Sequence, residues 1–449
     1  MKNAASEIEW LTFARAVKGT FFSKLVLMAV KLFISAVVAR VLGPESRGLF
    51  VGVMQASGSL GTAGTMSLGE GLIYLISSGQ IPKAKVFGTV IILGLLCTVV
   101  VLLLLALVFP ILATLVLGEL SSDIGDIIWY LAPGIVIEYL SVSAIRGCQA
   151  FSLANRLSIL CKLILATSVL VTLAVSDMRI EDFIIAFIFS SFINSIIYLG
   201  CLFQLSAFKF GIEWGQIFPS IAYSINLHPG TIFSDIENRL DIFLVLYFLN
   251  PAHLAIYSIG VTVSGFLFYF VNSVNAVLFP HLSSKSNVED QDLLRDTIRR
   301  TLIVCLFGVA FLIIFGSEFI ILIFGEAYEE SYLLFLVLSP GIVLDSLSRI
   351  MLSWMKSNRK VHLINYMSWV GFAINIISCL VLIPNFGIYG AAFATLICFV
   401  WRAIFVFSIY CKQHQIGFIE LVSPVKSDYR FFVSIVARGI LSFKGRLRF

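Results

Sequence analysis

The sequence predicts an all-α integral membrane protein. Twelve transmembrane helices should form two six-helix lobes related by a pseudo-twofold axis along the membrane normal. Three observations carry this. The 449 residues are 59% hydrophobic and only 13% charged. A soluble domain has about 25% charged residues, so lipid must be the solvent for much of this chain. Twelve stretches are long and apolar enough to span a bilayer. Residues 131–141, LAPGIVIEYLS, return 207 residues later as LSPGIVLDSLS, identical at seven of eleven positions.

The spans fall near 19–41, 49–77, 87–117, 127–148, 157–176, 183–206, 217–249, 254–280, 299–324, 331–355, 362–383 and 388–411. Each supplies the roughly 20 mainly apolar residues that a spanning helix needs. The first ends at Leu42-Gly43-Pro44. The second carries Gly52, Gly58, Gly61, Gly64, Gly69 and Gly71, small residues that allow close packing or local flexing. The third, seventh and ninth are long enough to tilt or project. The fourth and tenth hold the repeated phrase with its Pro-Gly pair. The seventh, INLHPGTIFSDIENRLDIFLVLYF, should break or bend at Pro229-Gly230.

The loops set the orientation. Even-numbered loops hold Lys83 and Lys85; Arg156; Lys209; Lys285, Arg295, Arg299 and Arg300; and Lys356, Arg359 and Lys360. The basic residues of the odd loops are Arg47 and Arg179, set among acids such as Glu119, Asp182 and Glu330. Lys/Arg excess marks the cytoplasmic side. A multi-pass protein with both termini cytoplasmic needs an even number of spans, and twelve fits. No loop exceeds about twenty residues, so no soluble catalytic domain is expected.

At the offset of 207, Leu42-Gly43-Pro44 falls on Leu249-Asn250-Pro251, so one register matches two places without a gap. A duplicated six-helix unit explains both. The expected division is an N-lobe over 1–206 (helices 1–6), a C-lobe over 207–411 (helices 7–12) and a basic tail over 412–449. Two like-oriented lobes leave a cavity between them. The net charge of +5 resides in the tail, which has seven basic residues and two acids, so a nucleic-acid partner is not implied. Phe431, Phe432, Ile435, Val436 and Ile440 share one face of the tail. It reads either as an interfacial helix on anionic lipid or as a merely topogenic segment. The eight cysteines stand singly without metal spacing and read as packing residues. The first nineteen residues are too polar for a signal peptide.

Ionisable groups inside spans cost at least ~2.5–3.5 kcal/mol each and face water or a partner. Lys24 and Lys31 share one face of the first span, and Arg40 lies on the other side near its outer end. They read as a cationic stripe with Arg40 at the cavity mouth, or as side chains snorkelling to the headgroups; Lys31 is too deep for the latter. In the seventh span Asp235 and Arg239 can neutralise each other across one turn, whereas Glu237 and Asp241 have no such local partner. Glu138 and Asp345 fall halfway along the repeated helices; Asp345 has Arg349 one turn on and Glu138 has no comparable neighbour. Pro133-Gly134, Pro229-Gly230 and Pro340-Gly341 are hinge candidates, or simple kinks in packing helices. Glu70 lies at the inner end of the second span, where it could face the cavity.

The segment KLFISAVVARVLGPESRGLF, followed by a glycine-rich span ending GEGLIYLIS, resembles the start of the polysaccharide-biosynthesis flippases, the Wzx-type O-antigen and capsule translocases. ARVLGPESRGLF is the most distinctive piece. These proteins belong to the multidrug/oligosaccharidyl-lipid/polysaccharide (MOP) exporter superfamily, whose MATE-like fold matches the two-lobe plan over nearly the whole chain. The resemblance implies a transporter, not an enzyme. Its substrate would be an undecaprenyl-diphosphate-linked oligosaccharide: a lipopolysaccharide O-antigen, capsule or exopolysaccharide repeat unit. This would move from the cytoplasmic to the periplasmic leaflet of the bacterial inner membrane as 1–206 rocks against 214–411. Lys24, Lys31, Arg239 and Arg349 would meet the diphosphate or glycan. Coupling to a proton or sodium gradient would run through Glu138, Asp235, Glu237, Asp241 or Asp345. No cofactor or metal is implied; the implied partners are the lipid-linked glycan, membrane lipid, a polysaccharide polymerase and a chain-length regulator. A cation-coupled multidrug exporter is the main alternative, opposed by Lys24 and Lys31. An integral-membrane polymerase is opposed by the duplication and the short loops. The lipid II flippase branch has two extra spans, for which there is no room after residue 411.

Overall fold

The computed structural model describes residues 2–112, 129–207, 209–222, 224–225, 239–284, 289–358, 360–425 and 428–429. Among these the regular structure is entirely helical. In chain order the helices are α1 (Lys2–Gly64), α2 (Leu68–Ser77), α3 (Lys83–Leu112), α4 (Leu131–Gly147), α5 (Phe151–Val175) and α6 (Ile180–Leu205). Then follow α7 (Leu240–Phe248), α8 (Pro251–Ser264), α9 (Phe266–Ser284), α10 (Glu289–Phe324), α11 (Ser331–Ser357), α12 (Val361–His414) and α13 (Phe418–Val422). Among the described residues, seven helices are long and apolar enough to cross a membrane, or eight if α8 and α9, bent by 41° at their junction, form one span. Two of these are double: α1 leaves helical geometry at Gly43 (φ 69°) and α12 at Gly387 (φ 59°). The expected spans overlie these helices. The seventh is seen only at its ends, as a helical stretch over 214–222 and as α7. Residues 226–238, with Pro229, Gly230, Asp235 and Glu237, lie outside the described residues, as does the aromatic-basic tail from 430 onward.

This is a multi-pass membrane protein. Its outward side chains are apolar: Leu103, Leu107, Phe307, Ile314 and Leu322 are all exposed. Water would penalise such a surface, and lipid does not. Many hydroxyls within the helices bond the carbonyl one turn back, as Ser57 does to Val53 (2.9 Å), Ser168 to Ile164 (3.0 Å) and Ser348 to Leu344 (2.8 Å). No hydroxyl so placed faces hydrocarbon unsatisfied.

The duplication is visible in packing. At Gly43 a left-handed φ ends one helix, a conformation glycine adopts without penalty, and Pro44 restarts it. At the matching place Asn250 caps α8, accepting from the His253 amide at 2.9 Å, with Pro251 in the first helical position. A Cβ on Gly134 would lie 2.4 Å from the Ser191 hydroxyl of α6. A Cβ on Gly341 would lie 2.7 Å from Leu396 and 2.9 Å from Phe399 of α12. Less 207, residues 396 and 399 become 189 and 192, which bracket Ser191. The repeated glycines thus seat two equivalent helix crossings.

The apolar core has a shared part and two separate parts. Near the Gly43 and Gly387 turns both halves contribute to one core: Ile34, Val38 and Phe50 pack with Leu165 and Phe183, and also with Leu254, Tyr257 and Ile342. Toward the opposite end the first half builds its own core around Leu72, Val90, Leu140 and Tyr198, and the second builds another around Val274, Ile298, Trp354 and Tyr410. Among the described residues the halves share an apolar core at one end and keep separate cores at the other, where α1 also packs along α9 of the second half. Residues 209–222 belong with the first half: Glu213 pairs with Lys85 at 2.9 Å, and Ile217 enters that half's core.

Candidate functional site

The ionisable groups collect where the shared core gives way to the two separate ones. In α1, Ile34 and Val38 pack into the shared core against Leu165 and Ala166 of α5. Lys31 and Lys162 lie three and four residues earlier on these helices, one turn toward the divided end. Both are exposed. In α4, Ile135 packs on the shared core, and Glu138 follows one turn on. Glu138 lies in the field of Lys162 and within hydrogen-bonding reach of Asn194 from α6; Lys31 also senses Lys162. Four helices thus bring two ammonium groups, one carboxylate and one amide to the same level. Lys31 also lines a cavity of about 240 Å³ between α1 and the α8–α9 bend, with Met28, Thr262, Phe266 and Tyr269 among its walls. Lys24 sits half-buried two turns from Lys31, with no hydrogen bond or ion pair among the described residues.

The second half places Asp345 at the equivalent level, fully buried. Arg349 donates to Oδ2 at 2.7 Å and Arg402 of α12 to Oδ1 at 2.6 Å. The Arg349 guanidinium lies 4.0 Å from the centre of the Phe268 ring, and 29% of its side chain is exposed. Buried charges persist when paired and hydrogen-bonded, and this carboxylate has both oxygens taken by cations. Asp345 is therefore held as a fixed ion, with Arg349 presented at the surface of the cluster.

Asp241 is the second buried acid of this half, at 7% exposure. The Tyr257 hydroxyl donates to it at 2.5 Å and itself lies 3.2 Å from Thr395. Cys379, which accompanies Asn375 at 3.3 Å, lies close by. No cationic side chain pairs with Asp241 among the described residues. Oxygen groups converging on a buried carboxylate are the donors a small cation or a proton would use. Arg239 opens α7 and lies against α1: a Cβ on Gly58 would come within 2.6 Å of its Nη1. A second-half cation thus reaches a first-half helix midway along the bundle.

The joined end is closed by two arginines. Arg47 is buried at 3% exposure. It donates to the Ala255 carbonyl (2.7 Å), the Ser258 hydroxyl (2.9 Å) and the Ser35 hydroxyl (3.3 Å), and sits 5.4 Å from the Tyr328 ring. Arg40 binds the Ile323 carbonyl at 2.9 Å and the Leu322 carbonyl as well, capping the end of α10. Each arginine crosses from one half to the other. Gly48 lies so close to Pro251 that a Cβ would meet its carbonyl oxygen at 1.7 Å.

The family model for "polysaccharide biosynthesis protein" matches residues 37–333, about two thirds of the chain. The chain belongs to that family. A curated relative from the archaeon Haloferax volcanii, the probable low-salt glycan biosynthesis flippase Agl15, is 23% identical over 207 residues. The match spans 43% of this chain and 43% of that relative. Among solved structures, the lipid II flippase MurJ in an inward closed conformation superposes with a TM-score of 0.70 at 15% identity, covering 96% of each chain. A MOP-superfamily transporter from Pyrococcus furiosus gives 0.65 at 13% identity, covering 92% of this chain and 96% of its own. These likenesses show that the chain shares the fold of those two structures.

Within that fold, two features went unread in the sequence. Lys162 lies in an apolar span and Arg402 at the far end of another, and neither has a charged neighbour within a turn. The acids they act on, Glu138 and Asp345, are 24 and 57 residues away, so no local pattern marks them. Glu138 has no cation within a turn and makes no ion pair among the described residues; the cation whose field reaches it, Lys162, comes from α5. Arg40, expected at a cavity mouth or among headgroups, caps α10 and remains exposed. Pro133 stands in the first turn of α4, and Pro340 lies inside α11. Pro229-Gly230 lies outside the described residues; among those described, further interruptions stand at Met66-Ser67 (φ 49° and 57°) between α1 and α2 and at Gly265 between α8 and α9. Glu70 accepts from the Tyr139 hydroxyl at 2.8 Å.

Proposed function

We propose that this protein is a flippase for a lipid-linked oligosaccharide, working by alternating access. The observation that carries this is the layout of the interior: two packed halves that share an apolar core at one end and keep separate cores at the other, with cations from both halves near the level where the cores change. A glycan headgroup with an anionic linkage cannot cross hydrocarbon, because each unsatisfied polar group there costs several kcal/mol. A polar interval between two lobes can carry the headgroup while its lipid tail stays in the bilayer. Lys24 and Lys31 from one half, and Arg239 and Arg349 from the other, are the cations that would meet the headgroup there. The name of the Haloferax relative, a glycan biosynthesis flippase, supports the same reading.

In this reading the basic loops and both termini face the cytoplasm. The substrate is an undecaprenyl-diphosphate-linked repeat unit of O-antigen, capsule or exopolysaccharide type, and the membrane is the bacterial inner one. A polymerase and a chain-length regulator would act on the flipped product. Asp241 is the best-formed candidate for the coupling ion, since its partners are hydroxyls and not cations. Asp345 is the poorest, since two arginines already neutralise it. Deleting the gene should leave undecaprenyl-linked glycan on the cytoplasmic face and strip the cell of the corresponding surface polysaccharide. Normal surface polysaccharide in a strain without a second flippase would overturn the proposal.

A further inference from the structure

The two halves are copies, so a polar pair that one half keeps on an open face and the other lacks is not demanded by the fold. Glu70 and Tyr139 form such a pair in the first half. The Tyr139 hydroxyl donates to Oε2 of Glu70 at 2.8 Å, and both residues are exposed. At the offset of 207 their places are taken by Val277 and Ser346. Close helix contact brings the pair together: a Cβ on Gly69 would lie 2.6 Å from the Tyr139 ring and from the Ser143 hydroxyl. On the other flank of α2, a Cβ on Gly71 would lie 2.2 Å from the Ser224 hydroxyl and 3.5 Å from the Ser220 carbonyl oxygen. Leu68, Leu72, Leu75 and Ile76 turn the opposite side of α2 into the first-half core. Successive residues stand about 100° apart around a helix, so Glu70 opens between two walls, α4 on the Gly69 side and residues 220–224 on the Gly71 side. Tyr74 and Ser77 continue the same face one and two turns along, and both are exposed. The floor of this groove is therefore polar and aromatic.

We infer that Glu70, Tyr139 and Tyr74 form a sugar subsite, which takes hydroxyl groups of the glycan that the lipid-linked substrate carries. The inference rests on the flippase reading and adds to it the place where the sugar is held. Glu70 lies about two turns inside the end of α2, and Tyr139 about two turns inside the end of α4. A carboxylate at that depth faces water or a polar cargo and not hydrocarbon. Tyr139 fixes one carboxylate oxygen and leaves Oε1 to accept from a sugar hydroxyl, a charge-assisted bond of the stronger kind. The Tyr74 ring offers an apolar face to the C–H side of a sugar and a hydroxyl that both donates and accepts. The sign of the charge separates the two parts of the headgroup. Glu70 repels a diphosphate, which the cations of α1 suit, and accepts from neutral hydroxyls. The headgroup then lies with its linkage toward Lys24 and Lys31 and its sugar against α2 and α4.

The test is equilibrium binding to the full-length protein in nanodiscs. The probes are undecaprenyl diphosphate and the same lipid bearing one N-acetylglucosamine or one galactose, the tighter of the two sugar probes being carried forward. The wild type should bind that sugar probe about tenfold more tightly than undecaprenyl diphosphate, as one hydrogen bond to a charged group allows. Glu70→Gln should remove most of this preference, weakening the sugar probe and leaving undecaprenyl diphosphate within about twofold. Tyr139→Phe keeps the ring and loses the hydroxyl that orients the carboxylate, so it should weaken the sugar probe selectively, by about threefold. No sugar preference in the wild type, equal losses for both probes in Glu70→Gln, or unchanged binding in both variants would overturn the inference while leaving the flippase reading standing. Failure of the wild type to bind any of the probes would overturn both. Glu70 and Tyr139 are exposed, so neither change opens a cavity, and monodisperse elution by size exclusion verifies that each variant is folded.

Discussion

Single residues divide into those that hold the fold and those free to act. Asp345 has no exposed surface and two arginine partners, so Asp345→Ala would remove the one carboxylate on which both guanidiniums converge. Removing one member of a buried ionic cluster costs about 3–5 kcal/mol, so this variant should lose much of its thermal stability in detergent. Glu138→Gln should leave the melting temperature nearly unchanged, because its partners are not fixed around it. A melting curve on both variants separates the roles: equal losses would contradict the distinction. Half of this contrast was legible in sequence. Arg349 stands one turn from Asp345 and could be read directly. Arg402 and Lys162 could not, because pairing across helices depends on which helices cross, and apolar segments carry little information on that.

At the scale of elements, periodicity and punctuation served well. Apolar length located the helices, and Gly43-Pro44 and Asn250-Pro251 marked the turn and the helix start that follow it. The Pro-Gly pairs were visible, but their use was not: the glycine matters because another helix lies against it. Gly341→Leu should therefore force α11 from α12, since even a Cβ there meets Leu396 at 2.7 Å. Overpacking of this kind costs about 1–3 kcal/mol, readable as lowered thermal stability. The interruptions at Met66-Ser67 and Gly265 carry no proline and so left no signal. After α13 the chain is pinned by Asp428, fully buried, which accepts from Arg299 at 3.0 Å and Arg300 at 3.2 Å while Asp296 completes the cluster. Asp428→Ala should free this segment from α10 and speed proteolysis after residue 415, with the rest of the protein intact; unchanged cleavage would show that the clamp does not hold it.

For the molecule as a whole, the duplication read from one repeated phrase became two packed halves with matching crossings and a shared core at one end. Alternating access requires that this end come apart and re-form. Arg47 is suited to that: its partners are carbonyl and hydroxyl oxygens and an aromatic face, so it can be released to water without leaving a buried acid unpaired. Gly48 is the tightest point of the seal, and a larger residue there should keep the halves from closing. The decisive measurement is translocation of a fluorescent undecaprenyl-diphosphate-linked oligosaccharide in proteoliposomes, comparing wild type with Gly48→Leu. The wild type should move the lipid between leaflets well above protein-free vesicles, and Gly48→Leu should be inactive while still binding the substrate. A wild-type rate no higher than that of empty vesicles, or full activity in Gly48→Leu, would contradict the account.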